Sequence, residues 1–237
     1  MRNVLFVNPV GVDFYDSYML EVMGRTKSPS TNITVRHLNL PAEYSKSAML
    51  PNVPVYLNEI VAEVVAADDA NFDSVIIGCC TDPALSDSQR SVSIPVIGPL
   101  KAAITIANMY DRDLTILSPD EHDWKKTHSW TKNILRSYGL LDRLSEIHFV
   151  PMHNDGDASF IDNVDLTLEQ VVERFERQLL GPAVSILNSI QSLSPSNVVL
   201  MGCTLWGGLV EQIRPLFPNL LLLDPIEIAL QFAELEI

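Results

Sequence analysis

Short apolar runs and longer stretches of helical spacing alternate along this chain, and the alternation runs through its cycle twice. The apolar runs fall at 3–7, 33–38, 75–79, 94–98, 114–118, 147–150, 198–201 and 220–223. Each is too short for a helix, too continuously apolar for a sheet with one wet face, and closed by Gly, Pro, Asn or Asp. The intervening stretches carry helical signals. Leu57, Ile60, Val61, Val64 and Val65 recur at helical spacing, as do Leu168, Val171, Val172, Phe175 and Leu179. Thr167 and Gln170 have capping-box spacing, and Gly181-Pro182 is expected to kink or divide that helix. Strands alternating with helices argue for parallel sheets with helices on both faces.

The second half echoes the first. S-V-I-I-G-C-C-T (74–81) matches N-V-V-L-M-G-C-T (197–204), each an apolar run ending in a thiol. Asn8-Pro9 is matched by Ser118-Pro119, and P-V-I-G-P-L-K-A-A from Pro95 by L-L-L-D-P-I-E-I-A from Leu221. The separations are 110, 124 and 126 residues. The expected fold is therefore α/β with two pseudosymmetric lobes, each a parallel four-stranded sheet flanked by helices. Residues 1–100 plus 225–237 are assigned to one lobe and 101–224 to the other, with the active site in the cleft between them.

Ligands of open parallel sheets bind beyond the carboxyl ends of the strands. That rule sends Asn8, Cys79, Ser118 and Cys203 to the cleft. Asp82-Pro83 reads as a helix start, with Asp as N-cap and Pro in the first turn. A helix beginning behind each cysteine would aim free backbone N–H groups into the same space, favour an anion and depress the thiol pKa. Two thiols on opposite faces of one carbon suit racemisation or epimerisation, in which one face gives up a proton and the other receives one. One sulfur must start as thiolate, and a free cysteine titrates at roughly 8.5, close enough to working pH for this. The chemistry demands a small-molecule substrate with a carbonyl beside the reacting carbon, and neither metal nor other cofactor.

Charge and cysteine usage narrow the setting. The formal net charge is −14 and the pI about 4.6, a surface that repels nucleic acid and anionic lipid. Three cysteines are too few for a disulfide framework, no CxxC spacing indicates zinc, and free thiols fit a reducing cytosol. The apolar run near Met1 is too short for a signal peptide, and no stretch approaches the ~20 apolar residues of a membrane helix. A cytoplasmic protein without nucleic-acid or membrane partners is expected.

These motifs resemble the aspartate/glutamate/hydantoin racemase superfamily over essentially the whole chain. C-C-T-D-P-A-L (79–85) is similar to the family's first cysteine signature, and M-G-C-T-L-W-G-G-L (201–209) to its second. The D-P-A-L segment and the N-P-V-G loop look closest to hydantoin and allantoin racemases. The resemblance implies a cofactor-independent two-base mechanism, with Cys79 and Cys203 as the bases and Asn8, Thr81, Ser118 and Thr204 as substrate contacts. It also implies a homo-oligomer. S-P-D-E-H-D-W (118–124) departs from the family, which has a threonine-rich run there. Asp120, Glu121 and Asp123 add negative charge and lean the reading from an anionic amino acid toward a neutral, hydantoin-like ring, which Trp124, Trp130 and Trp206 would wall.

Other readings of the same residues stay open. Aligning Gly-Cys with Gly-Cys selects Cys79, whereas aligning Cys-Thr with Cys-Thr selects Cys80. Asn8 and Ser118-Pro119 can serve as turns, Thr81 and Thr204 as N-caps, the tryptophans as core. His122 and His128 are six apart, which fits no single helix face for a metal. An amino-acid racemase, or a decarboxylase or cis–trans isomerase of the same fold, is the alternative enzyme. From a different class come a thiol redox sensor built on Cys79 and Cys80, and a non-catalytic ligand-binding protein.

Overall fold

The computed structural model describes residues 1–40, 54–119, 124–151, 167–193 and 198–235. The proline-bounded loop expected at 41–54 falls almost wholly outside them, as do Asp120, Glu121, His122, Asp123 and the side chain of Trp124. The described residues divide into two compact units. One is drawn from Met1–Pro99, 167–168 and Ala229–Ile237, the other from Leu100–Ala158 and Glu169–Ile228.

In chain order the elements are β1 (Arg2–Asn8), α1 (Asp16–Thr26), β2 (Thr31–His37), α2 (Pro54–Asp69), β3 (Ser74–Ile77), α3 (Leu85–Ser91), β4 (Val96–Ile97) and α4 (Pro99–Met109). There follow β5 (Leu114–Pro119), α5 (Trp124–Ser137), β6 (Leu144–Val150), α6 (Leu168–Gln178), α7 (Val184–Leu193), β7 (Val198–Met201), α8 (Val210–Ile213), β8 (Leu221–Leu223) and α9 (Pro225–Ala233). The first unit holds a sheet of order β2-β1-β3-β4 and the second one of order β6-β5-β7-β8. All six pairings are parallel. The two sheets therefore share one topology, as the doubled sequence pattern requires.

Burial explains the unbroken apolar runs. Val4, Leu5, Phe6 and Val7 are wholly buried although their side chains alternate between faces, so both faces of β1 are covered. The same holds for β3, β5 and β7, the other inner strands. At about 1.5–3 kcal/mol for each fully buried large aliphatic or phenyl side chain, these runs carry much of each core. The edge strands are weaker: β2 is half-exposed, β4 spans two residues and β8 three.

The helices mostly follow their apolar stripes, with one correction. On α2 the buried side is Tyr56, Ile60, Val64 and Ala67, whereas Val65 is exposed. Spacing alone did not fix the rotation of the stripe. Pro182 divides the helix as expected, into α6 (ending at Gln178) and α7 (starting at Val184). The turn Leu179–Ala183 widens to π-helix, which accommodates the missing amide, and α7 continues directly from it. Val171, Phe175 and Leu179 are buried as their spacing predicts.

In the first unit the end of α9 is held by β1 and its neighbours. Arg2 donates to the carbonyls of Ala233 (3.1 Å) and Leu235, and Ser74 Oγ donates to Ala233 O at 3.0 Å. Helix-end carbonyls have no intrahelical donor, so these bonds supply one. The Ser28 amide reaches Glu234 Oε1 at 2.8 Å.

Candidate active site

In each sheet the chain steps from the first inner strand outward to an edge, then returns to the other side of that first strand. This reversal creates a switch point at the carboxyl ends of β1 and β3, and of β5 and β7, where parallel sheets bind ligands. Asn8 and Cys79 flank the first switch point; Ser118 and Cys203 flank the second.

The ladders fix how the two halves correspond. Val7 pairs with Ile77, and Leu117 with Met201. One residue on, the Gly78 amide donates to Val7 O at 2.8 Å, and the Gly202 amide to Leu117 O at 2.6 Å. The next amides, of Cys79 and Cys203, fold back onto Ile77 O and Met201 O, both at 2.8 Å. Cys79 and Cys203 thus occupy the same backbone position, and Asn8 corresponds to Ser118. Cys80 corresponds to Thr204, so the Cys-Thr alignment is not the structural one.

The glycine before each cysteine is a packing requirement. A Cβ on Gly78 would lie 2.3 Å from Phe6 Cζ, and one on Gly202 2.5 Å from Leu117 O and 2.9 Å from Ile116 Cγ2. Phe6 and Ile116 are themselves equivalent positions, so neighbouring strands impose the same residue twice.

Cys79 is half-buried and Cys80 buried. Cys79 Sγ lies 3.1 Å from Thr81 Oγ1. A hydroxyl can accept from a thiol or donate to a thiolate, so Thr81 can serve either state of the sulfur. Asn8 is buried, and its Nδ2 donates to Asp16 Oδ1 at 3.1 Å. The other carboxylate oxygen of Asp16 meets His37 Nδ1 at 2.8 Å. The carboxylate fixes which end of the Asn8 amide faces it, because only the NH2 can donate. Asp16 and His37 escaped the sequence reading. The available signal was a polar pair at predictable places, the first turn of α1 and the carboxyl end of β2.

In the second unit Cys203 is half-buried in extended conformation, and its carbonyl accepts the Trp206 amide at 3.0 Å. Thr204 opens a 3-10 turn, Thr204–Trp206. Ser118 is buried, and its Oγ donates to its neighbour's carbonyl, Pro119 O, at a long 3.5 Å.

Three expectations are corrected here. Asp82-Pro83 does not start a helix. Asp82 and Ala84 both have positive φ (46° and 56°), and α3 begins only at Leu85. Behind Cys203 there is one 3-10 turn and then the four-residue α8, interrupted by Gly207 and by Gly208 at φ 74°. No α-helix therefore starts directly behind either thiol. Trp206 is wholly buried and is core rather than pocket wall; among the described residues its Nε1 has no hydrogen-bond partner. Trp130 is half-buried on α5.

Among the described residues no group of three His, Cys, Asp or Glu side chains is arranged to hold a metal ion. His128 is held below its ordinary pKa by partial burial and then by the charge of Lys132. No helix among the described residues is long and apolar enough to cross a membrane.

The family model for Asp/Glu/hydantoin racemase matches residues 9–233. No curated protein matches by sequence. Among solved structures, allantoin racemase from Pseudomonas fluorescens is similar at 20% identity and TM-score 0.71, covering 98% of this chain and 89% of that one. Allantoin racemase from Klebsiella pneumoniae gives 17% identity and TM-score 0.66, covering 99% and 86%. Glutamate racemase from Thermus thermophilus gives 18% identity and TM-score 0.55, covering 98% and 78%. At these identities the structural likeness establishes a shared fold.

Proposed function

The chain belongs to the Asp/Glu/hydantoin racemase family and is an isomerase of the racemase type, and from that premise we propose a cofactor-independent, two-thiol racemase acting on a neutral hydantoin-like ring. The observation that carries this reading is the equivalence of Cys79 and Cys203, two half-buried thiols at one backbone position in two sheets of one topology.

The reaction balances without an added reagent. One sulfur, as thiolate, takes the proton from the carbon beside a carbonyl; the C–H bond breaks, an S–H bond forms, and the electron pair moves into the C–O enolate. The second sulfur, as thiol, returns a proton to the opposite face and becomes the thiolate. Thr81 supports Cys79 and, with Asn8, Ser118 and Thr204, contacts the substrate. The net charge of −14 favours a neutral ring over a dicarboxylate. The reading carries with it a cytoplasmic homo-oligomer, for which the family resemblance is the support.

The test is racemisation in D2O of a panel of hydantoins, allantoin and free amino acids, followed by polarimetry and by isotope uptake at the reacting carbon. Cys79→Ser and Cys203→Ser should each abolish racemisation, and Cys80→Ser should keep most of it. Retention of activity by either of the first two variants overturns the reading.

A further inference from the structure

Each unit contains one wholly buried aspartate between its cysteine loop and the strand beside it, and the two aspartates sit at opposite ends of that link. The ladders pair Val75 with Val96 and Val199 with Leu222, which makes Gly98 and Asp224 equivalent, just beyond β4 and β8. In the second unit the carboxylate comes from the strand end. Asp224 is 3% exposed; its Oδ2 accepts the Gly208 amide at 2.7 Å, and its Oδ1 accepts the amides of Ile226 (2.8 Å) and Glu227 (3.1 Å). It ties the loop behind Cys203 to the start of α9, and Gly208 meets it in left-handed backbone, φ 74°.

In the first unit the direction is reversed. The strand end is Gly98, without a side chain, and the carboxylate belongs to the cysteine loop. Asp82 is 1% exposed, and a Cβ on Gly98 would fall 2.4 Å from both its Cγ and its Oδ1. The Asp82 amide donates to Cys79 O at 3.1 Å, so this residue is part of the turn that presents the thiol. Its φ of 46° lies in the left-handed region, which Asp tolerates better than most residues other than glycine.

We propose that Asp82 and Asp224 are the positioning residues of the two thiols, each locking its cysteine loop to the end of the adjacent strand. Neither loop is backed by a long helix, so the lock replaces the order a helix would supply. The amide bonds that Asp224 accepts are charge-assisted and stronger than neutral ones, while Asp82 is seated against Gly98 by close packing. Two mirror-image solutions to one task also explain why position 98 is Gly where its counterpart is Asp. The proposal deepens the two-thiol reading and rests on it for its catalytic consequence.

Iodoacetamide labelling of the intact protein, resolved cysteine by cysteine with peptide mass spectrometry, tests the lock without needing a substrate. Its failure is thus distinguishable from failure of the racemase reading. Asp224→Asn keeps an acceptor for α9 but turns a donor toward the Gly208 amide; Gly98→Ala displaces the Asp82 carboxylate. Asp224→Asn should label Cys203 about fivefold faster or more while Cys79 keeps its wild-type rate, and Gly98→Ala should do the reverse, as expected for local opening of one loop. Once a substrate is found, each variant should lower kcat more than it changes KM. Folded variants, judged by circular dichroism, that leave their own cysteine at the wild-type rate overturn the proposal, and so does equal acceleration of both. Where a variant fails to fold, Asp224→Ser (a competent N-cap too short for Gly208) and Asp82→Asn make the same measurement.

Discussion

Cys79 Sγ and Thr81 Oγ1 stand 3.1 Å apart on the turn that closes β3. Thr81→Val keeps the shape and deletes the hydroxyl. A hydrogen bond to a charged group is worth about 1.5–3 kcal/mol, so kcat/KM should fall about tenfold to a hundredfold. Thr81→Ser should recover most of it. Racemisation rates and Cys79 alkylation rates measured on both variants check this, and equal rates for Val and Ser would count against the contact.

The two Gly-Cys steps should respond differently to a methyl group. Gly202→Ala drives Cβ toward Leu117 O, which is backbone, whereas Gly78→Ala meets the end of the Phe6 ring. Each should destabilise by about 1–3 kcal/mol in urea unfolding, the usual scale of overpacking. Phe6→Leu should restore part of the loss in Gly78→Ala, and Ile116→Val should restore little in Gly202→Ala.

Asp16 orients Asn8 and holds His37. Asp16→Ala frees the amide to rotate, so KM should rise by about tenfold, the equivalent of one oriented hydrogen bond, with a smaller change in kcat. Steady-state kinetics of Asp16→Ala and Asp16→Asn separate the two parameters.

Burial raises the pKa of Asp224 above its ordinary 3.8; the three amide bonds oppose this and the nearby Glu227 charge adds to it. A raised carboxyl pKa means that the folded protein binds the proton more tightly than the unfolded chain. Its contribution to stability is therefore greatest below pH 3.8 and declines as pH rises through the folded value. Urea unfolding of wild type minus Asp224→Asn should show that decline with rising pH. A flat difference curve would refute it.

His128 behaves in the opposite sense. Its pKa lies below 6.5, so the unfolded chain takes up the proton first, and stability is lost as pH falls from about that value. In His128→Gln this loss should be smaller, as read from unfolding curves on either side of pH 6.5.

Most of the fold was legible because the inner strands are buried on both faces, and such strands leave unbroken apolar runs such as Val4–Val7 and Val198–Met201. The thiol positions were legible for the same reason, each lying two residues past its strand, Cys79 after Ile77 and Cys203 after Met201. Asp82-Pro83 misled because its local signal is that of an N-cap, whereas the carboxylate is spent on a tertiary contact with Gly98. The Asn8–Asp16–His37 chain was hidden because its members come from three elements, and only the sheet register brings them together. The choice between Cys79 and Cys80 needed the ladder itself.

The bonds from Arg2 and Ser74 to Ala233 close the first unit with a segment far removed in sequence from its sheet. A ribosome delivers residues 1–99 early, yet the segment Ala229–Ile237 of the same unit emerges only after every residue of the other unit has been made. The first-synthesised sheet must wait, partly unclad, while the later one completes its own core.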